Sequence, residues 1–361
     1  MLTTLRTTAA RSVGGSSLRA VGVAPALARG HAGCSGHHHP PPPESSTTTK
    51  AEKKELPHRA SGTPLNVPTT QGGPSDADAY CASLVQRLDP DAWLQSYFWP
   101  RREKAWWLAI RAFNLHQVST TVSQPAIAAM RFQFWRDALA QIWAGKPPQH
   151  PVAIALAEAH KYRPIQKYYL NRLIETRAKN LSAPPASADL DAYLAAHAPI
   201  PDALLQTGLT LVVPPTAPET SKLAHTLSHV ANTLSVVSLL RQLPSAIGKQ
   251  QNPLPSAICA NNGLSDEELF RDPGGKKARD AVFEVATRGM DEMITARRDL
   301  KDWNGAVKPS AAMPVFLAAV PAERWLKRLE EVDFDVTSKK MARHDWRLAP
   351  AIWARYLRGK L

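Results

Sequence analysis

The side chains of this chain that are best suited to chemistry are arginines set among aromatic residues. Residues 130–137 read Met-Arg-Phe-Gln-Phe-Trp-Arg-Asp, and helical spacing puts Arg131 and Trp135 on one face. Guanidinium groups near an interior can grip a diphosphate through paired hydrogen bonds. They can also stack on the rings around them. The pattern alone favours stacking and leaves anion binding as the alternative.

Carboxylates are missing from two long stretches of the sequence. Residues 104–136 and residues 221–265 contain no Asp or Glu, although the chain has 31 acids in 361 residues. At that average frequency both stretches should contain several acids. The lack of Asp and Glu suggests that acids have been removed from these positions. Cys34, Cys81 and Cys259 are scattered without a paired spacing, which predicts neither a disulfide framework nor a zinc site.

The first 75 residues are expected to lie outside the folded domain. Residues 1–30 carry Arg6, Arg11, Arg19 and Arg29 and no acid, a composition typical of a mitochondrial transit peptide. Residues 31–75 are rich in His, Pro, Ser and Thr and have too little apolar surface to offset the entropy of ordering. They include three adjacent histidines, residues 37–39, whose ability to bind a metal is weak without a second ligand cluster.

Residues 76–361 are predicted to form one all-α domain. Apolar residues recur at spacings of three and four, and strand-like alternation is nearly absent. Asp89-Pro90, Ser123 with Pro125, and Arg163-Pro164 read as helix starts, because a capping side chain or an early proline suits that position. Gly145, followed by two prolines, should end the helix that starts near residue 124. We expect about a dozen helices around a central cavity or core.

The charge balance does not identify which kind of partner the protein binds. The net charge is +13, and residues 1–60 hold eight Lys or Arg and three Glu, so about +8 remains on the folded part. No nucleic-acid recognition motif is present, and basic residues alternate with acids, which favours a solvated surface over nucleic-acid binding. No apolar run approaches the length of a bilayer-spanning helix, so any membrane contact should be peripheral.

The C-terminal segment allows two interpretations. Its aromatic and basic residues interleave in a pattern suited to an anionic membrane surface. The membrane-contact candidates are Trp346, Trp353, Arg355, Tyr356 and Arg358. The competing interpretation is a helix that closes the core and points its arginines to water, and the sequence favours neither.

Several short strings, in order along the chain, resemble the squalene and phytoene synthase family. They are Arg-Ala-Phe-Asn at 111–114, the block at 130–136, His-Pro-Val-Ala at 150–153, Leu-Arg at 240–241, Leu-Pro at 254–255, Gly-Leu-Ser at 263–265, Ala-Arg at 296–297 and Val-Asp-Phe-Asp at 332–335. The resemblance covers nearly all of residues 78–358. Within the family, the chain looks like the mitochondrial branch known as complex I assembly factor six.

The resemblance implies an isoprenoid synthase fold and a specific place for a metal site. Active members carry one aspartate-rich motif just after the position of Phe113 and a second just after that of Arg241, and both hold magnesium on a substrate diphosphate. Here the first window, residues 114–120, reads Asn-Leu-His-Gln-Val-Ser-Thr, and the second, residues 242–247, reads Gln-Leu-Pro-Ser-Ala-Ile. Neither window offers a carboxylate, so no cofactor is expected; Mg²⁺ would be expected only in an active enzyme. His116 is predicted to be a hydrogen-bonded or surface group.

Three functional classes follow from the resemblance. The favoured one is a non-catalytic factor that handles complex I subunits or other assembly factors on the matrix side of the inner mitochondrial membrane. The alternatives are a prenyl-transferring enzyme and a protein that binds an isoprenoid or lipid without turnover. The residues that would line a retained ligand pocket are Arg111, Arg131, Trp135, Arg241 and Arg297.

Overall fold

Helices make up the regular structure of the chain. The computed structural model describes residues 74–118, 125–181, 183 and 186–361, and in this part no strand forms. A single isolated bridge there joins Ala306 to Lys360. The predicted all-α class is therefore confirmed. The expectations for the first 73 residues, namely the transit peptide and nearly all of the segment after it, lie outside the described residues.

Fifteen α-helices are present in the described part of the chain. They are α1 Pro74–Leu88, α2 Pro90–Ser96, α3 Arg101–Val118, α4 Pro125–Trp143, α5 Pro151–Tyr162, α6 Lys167–Leu181, α7 Leu190–His197, α8 Pro199–Val212, α9 Thr220–Ile247, α10 Ser256–Asn261, α11 Asp266–Arg271, α12 Lys276–Asp299, α13 Met313–Phe316, α14 Ala319–Glu330 and α15 Leu348–Arg358.

Most of the predicted helix boundaries agree with the structure. Asp89 caps α2 by accepting a hydrogen bond from the backbone N–H of Ala92 at 3.1 Å. Helix α4 begins at Pro125 and ends before Gly145, whose φ of +74° suits glycine. The start predicted at Arg163-Pro164 is wrong, because α6 begins only at Lys167. Arg163 is extended, as a residue before proline prefers, and it ends α5 instead.

Two clusters of buried side chains hold the helices together. The first lies among α1, α3, α5, α6 and α8, where the rings of Trp99 and Trp107 stack with centroids 4.6 Å apart. A Cβ on Gly208 of α8 would lie 3.1 Å from the Trp107 ring, so the small residue admits the stacked pair. The second cluster joins α9, α12 and α14.

Helices α9 and α12 run in opposite directions and approach closely. The Thr233 hydroxyl donates to the carbonyl of Gly289 at 3.1 Å, across the two helices. A Cβ on Gly289 would lie 3.0 Å from Cγ1 of Val236, which is closer than side chains normally pack. Because the helices are antiparallel, the first turns of α9 lie beside the last turns of α12.

The C-terminal helix combines features of both interpretations of its segment. Leu348 and Ile352 of α15 are buried against the core, whereas Trp353 and Leu357 are mostly exposed. The segment is therefore a closing helix with an apolar outer face. Among the described residues, none of the helices has the length and apolar character needed to cross a bilayer.

Truncating the stacked tryptophan tests the first cluster. Trp107→Ala should lower the free energy of unfolding by about 3–5 kcal/mol, because it removes a large buried ring and leaves a cavity. Urea denaturation of the purified chain measures this. The matched control is Trp346→Ala, whose ring is 73% exposed and should change stability by less than about 0.5 kcal/mol. Equal losses in the two variants would contradict the packing described.

Candidate functional site

Two arginines from distant parts of the sequence meet at the start of α2. Arg111 of α3 forms an ion pair with Asp89, and Nη1 of Arg241 on α9 lies 3.2 Å from Oδ2 of Asp91. The two acids flank Pro90, the first residue of α2. The Arg241 guanidinium also lies over the Trp325 ring, 5.7 Å from its centroid. The structure thus brings together two of the five predicted pocket residues, with each cation engaged by a carboxylate.

A buried polar group adjoins this pair. Nη2 of Arg177, on α6, donates to the side-chain oxygen of Asn114 at 2.6 Å. Burial, with a smaller contribution from the nearby charge of Arg111, lowers the pKa of Arg177 to about 10. Arg177 therefore remains charged at neutral pH. The interior beside the first window contains the guanidinium groups of Arg111 and Arg177. Among the described residues, Asp89 is the carboxylate that pairs with Arg111.

His116 lies in the same window and is hydrogen-bonded, as predicted. Its Nε2 lies 3.0 Å from the hydroxyl of Tyr80, and its ring contacts those of Trp135 and His150. Burial, followed by the charges of His150 and Arg131, lowers the pKa of His116 to about 4. The imidazole is neutral at pH 7, in a space that aromatic rings fill.

The residues of the two windows do not fit a magnesium diphosphate centre. The first window presents an amide from Asn114 and a neutral imidazole, where hard anionic oxygens are needed. In the second window Pro244 lies inside α9 and Gln242 is exposed and neutral. A positive charge about 4 Å from a cation costs about 4 kcal/mol per pair of unit charges at an effective dielectric of 20. Arg177, which contacts the amide of Asn114, would thus oppose a divalent ion here.

Among the remaining pocket candidates, Trp135 lies against His116 of the first window, with ring centroids 5.9 Å apart. Trp135 is buried edge-on against Phe113, with ring centroids 5.1 Å apart, whereas Arg131 on the same helix is exposed. Arg297 forms an ion pair with Glu323, which also accepts from Arg355 at 2.7 Å.

A groove opens beside Arg241 and is also lined by Pro244 of the second window. Its volume is about 580 Å³, and Trp325, Arg328 and Leu348 are among its lining residues. Sequence reasoning missed this groove and also missed Arg177, because nothing in the local pattern of α6 marks a buried cation. The sequence does show that Asp89 and Asp91 precede the first acid-free stretch, which begins at residue 104.

The membrane-contact candidates divide between two environments. Trp346 and Trp353 are 73% and 58% exposed, and Arg358 is also exposed. The ring of Tyr356 packs on Phe98 with centroids 5.1 Å apart, so only part of it faces solvent. Arg355 is turned toward Glu323 and is therefore engaged within the fold.

Comparison with known proteins agrees with this architecture. The family model described as squalene/phytoene synthase matches residues 85–349. The chain is 31% identical to NADH dehydrogenase (ubiquinone) complex I, assembly factor 6 of Rattus norvegicus, over 78% of this chain and 83% of that protein. It is also 31% identical to the Homo sapiens protein of the same name, over 72% and 75%.

A solved structure shares the fold at low sequence identity. A dehydrosqualene synthase in complex with ligand superposes with a TM-score of 0.67 at 12% identity, over 79% of this chain and 98% of that one. At this identity the likeness establishes the fold alone. The family match covers most of the described helices. This chain also aligns with most of the length of both relatives named above. The chain therefore belongs to the squalene/phytoene synthase family.

Proposed function

We propose that this protein is a non-catalytic assembly factor for respiratory complex I, built on a squalene/phytoene synthase scaffold. One observation carries the proposal: Arg111 and Arg241, which adjoin the two windows, are already paired with the protein's own acids, Asp89 and Asp91. The relatives named as complex I assembly factor 6, each matched over more than two thirds of its length, support the same role.

The electrostatics of the windows explain why prenyl transfer is not expected. In an active site, arginines would be free for the diphosphate, and carboxylates would hold the metal ions. Here the carboxylates nearest the windows neutralise arginines, and the buried Arg177 contacts an amide. A bound diphosphate would have to displace Asp89 or Asp91 from its ion pair, and the cost is larger at Asp89, which is the more buried of the two acids. Metal-free anion binding would still not activate a diphosphate leaving group.

The same proposal places the protein in the mitochondrial matrix, bound peripherally to the inner membrane. The acid-free arginine composition of residues 1–30 supports import. The outer face of α15 supports membrane contact, since Trp353 and Leu357 are exposed beside Arg358. An amphipathic helix of this kind binds the interface by burying its apolar side chains while its cations meet anionic headgroups. The partners in this proposal are complex I subunits or other assembly factors.

Deletion of the gene tests the assembly role. Cells without it should lose assembled complex I on native gels while their isoprenoid profile stays unchanged. Wild-type chain should restore assembly, and so should a double variant, Gln242→Ala with Ser245→Ala, because the second window is not used for chemistry. A changed isoprenoid profile with normal complex I would contradict the proposal and support the enzymatic alternative.

Assays of the purified protein test catalytic silence. With Mg²⁺ and farnesyl or geranylgeranyl diphosphate, the protein should form no coupled product and release no diphosphate above a heat-killed control. The physical reason is the lack of carboxylates in both windows together with the positive charge of Arg177. Magnesium-dependent release of diphosphate above that control would overturn the pseudoenzyme interpretation.

Vesicle binding tests the outer face of α15. The double variant Trp353→Ala with Leu357→Ala should bind anionic vesicles about tenfold or more weakly, because each apolar side chain contributes about 1.5–3 kcal/mol when buried. Sedimentation with vesicles of anionic or neutral lipid measures this. Tyr168→Ala on α6 is the matched control, since that ring is also exposed, at 64%. Equal weakening by the control would show that the surface is not specific.

A further inference from the structure

Two histidines and an aspartate meet where the first turns of α9 lie beside the end of α12. His225 and His229 are one helical turn apart, and Asp299 is the last residue of α12. Nε2 of His225 lies 3.8 Å from Oδ2 of Asp299, and Nε2 of His229 lies 3.9 Å from the same oxygen. The three ligand atoms all lie within 4.8 Å of one another.

The hydrogen bond on the far side of His229 fixes which nitrogen faces the cluster. Nδ1 of His229 lies 2.6 Å from Oε2 of Glu292. An ionised carboxylate can only accept, so the proton of the neutral imidazole is on Nδ1 and the lone pair is on Nε2. That lone pair is directed toward the Asp299 carboxylate, so two acceptors face each other. A cation between them, either a proton or a metal ion, removes the repulsion.

The charges around the cluster leave Asp299 uncompensated. Its Oδ2 is shielded from solvent and has no hydrogen-bond partner among the described residues. The neighbouring charges are matched elsewhere: Nε of Arg288 donates to Glu292 at 3.0 Å, and Lys222 pairs with Asp302 at 2.9 Å. A buried anionic oxygen without a partner is costly, and a bound cation would satisfy it.

We propose that His225, His229 and Asp299 bind one divalent transition-metal ion, with Zn²⁺ as the best match to the donor set. Two imidazoles and a carboxylate are typical zinc ligands, and three protein ligands leave a fourth position for water or an exchangeable ligand. Glu292 acts as the outer partner that orients His229, an arrangement common around metal-bound histidine.

The ligand atoms must move closer together to accept the ion. Metal–ligand bonds of about 2.0–2.1 Å in a tetrahedral arrangement place ligand atoms about 3.3 Å apart. The separations of 3.8 and 3.9 Å to Asp299 are therefore about half an ångström too long, and the two histidine nitrogens, which lie within 4.8 Å of each other, must approach by up to about 1.5 Å. The side chain of His225 is 68% exposed, so it is free to move inward, and the site is open to solvent.

This site is separate from the windows in which the family places magnesium. His225 precedes Arg241 on the same helix by 16 positions, which corresponds to about 24 Å along the axis. The donors also differ, since imidazole nitrogen favours zinc-like ions over Mg²⁺. The proposed site is thus independent of whether the windows are catalytically silent.

Metal titration of the full chain tests the proposal. Residues 37–39 are changed from His to Ser in every sample, so that this second group of histidines cannot contribute. Competition with a chromophoric zinc chelator should give one equivalent of bound Zn²⁺, and excess Mg²⁺ should not displace it. Co²⁺ should give the visible spectrum of a tetrahedral nitrogen and oxygen site without a thiolate band.

Variants assign the binding to these residues. His225→Gln, His229→Gln and Asp299→Asn should each abolish stoichiometric binding, and Glu292→Gln should weaken it about 10–100-fold. His344→Gln, an exposed histidine elsewhere, is the matched control and should bind normally. Circular dichroism checks that each variant folds. Because the side chain of His225 is mostly exposed, its variant should disturb folding least. Unchanged zinc binding in folded His225→Gln and Asp299→Asn, or equal affinity for Mg²⁺, would overturn the proposal.

Discussion

Two ion pairs at the start of α2 connect the helices that carry the two windows. Helices α3 and α9 contribute Arg111 and Arg241, but the stretches that contain these residues have no acid of their own. The pairing acids come from another element, the start of α2, where Asp89 and Asp91 each engage one arginine. Side chains that would receive a substrate anion in an enzyme are thereby part of the internal structure. The family fold is retained while its electrostatics are changed.

Helix α9 connects the groove beside Arg241 to the cluster of His225, His229 and Asp299. Near its C-terminal end Arg241 contacts Asp91 and Trp325 beside the groove, and near its N-terminal end His225 and His229 face Asp299. Between these ends the contact with Gly289 holds α9 close against α12. A metal ion bound at the N-terminal end would fix the same helix pair at a second point. The scaffold would then be stabilised by a site that takes no part in prenyl chemistry.

Local patterns could be predicted from the sequence, and contacts between distant segments could not. Asp89-Pro90 correctly predicted the start of α2, because capping and the fixed φ of proline act within a few residues. The helix start predicted at Arg163-Pro164 was wrong, because the residue before a proline prefers extended backbone and here ends α5. The acid-free stretches were visible, but the pairing of Arg241 with Asp91 spans 150 positions. His225 and His229 have helical spacing in the sequence, whereas their third partner comes from α12.

We expect the two windows to bind no metal diphosphate, because Arg111 and Arg241 are occupied by the protein's own acids. Isothermal titration of inorganic diphosphate, with and without Mg²⁺, into the full chain with residues 37–39 changed to Ser measures this directly. We expect no magnesium-dependent binding of diphosphate to this chain. The same result is expected for the Asp91→Asn variant, in which Arg241 is freed from its ion pair. Magnesium-dependent binding of diphosphate at micromolar concentration in the chain that retains Asp89 and Asp91 would contradict it.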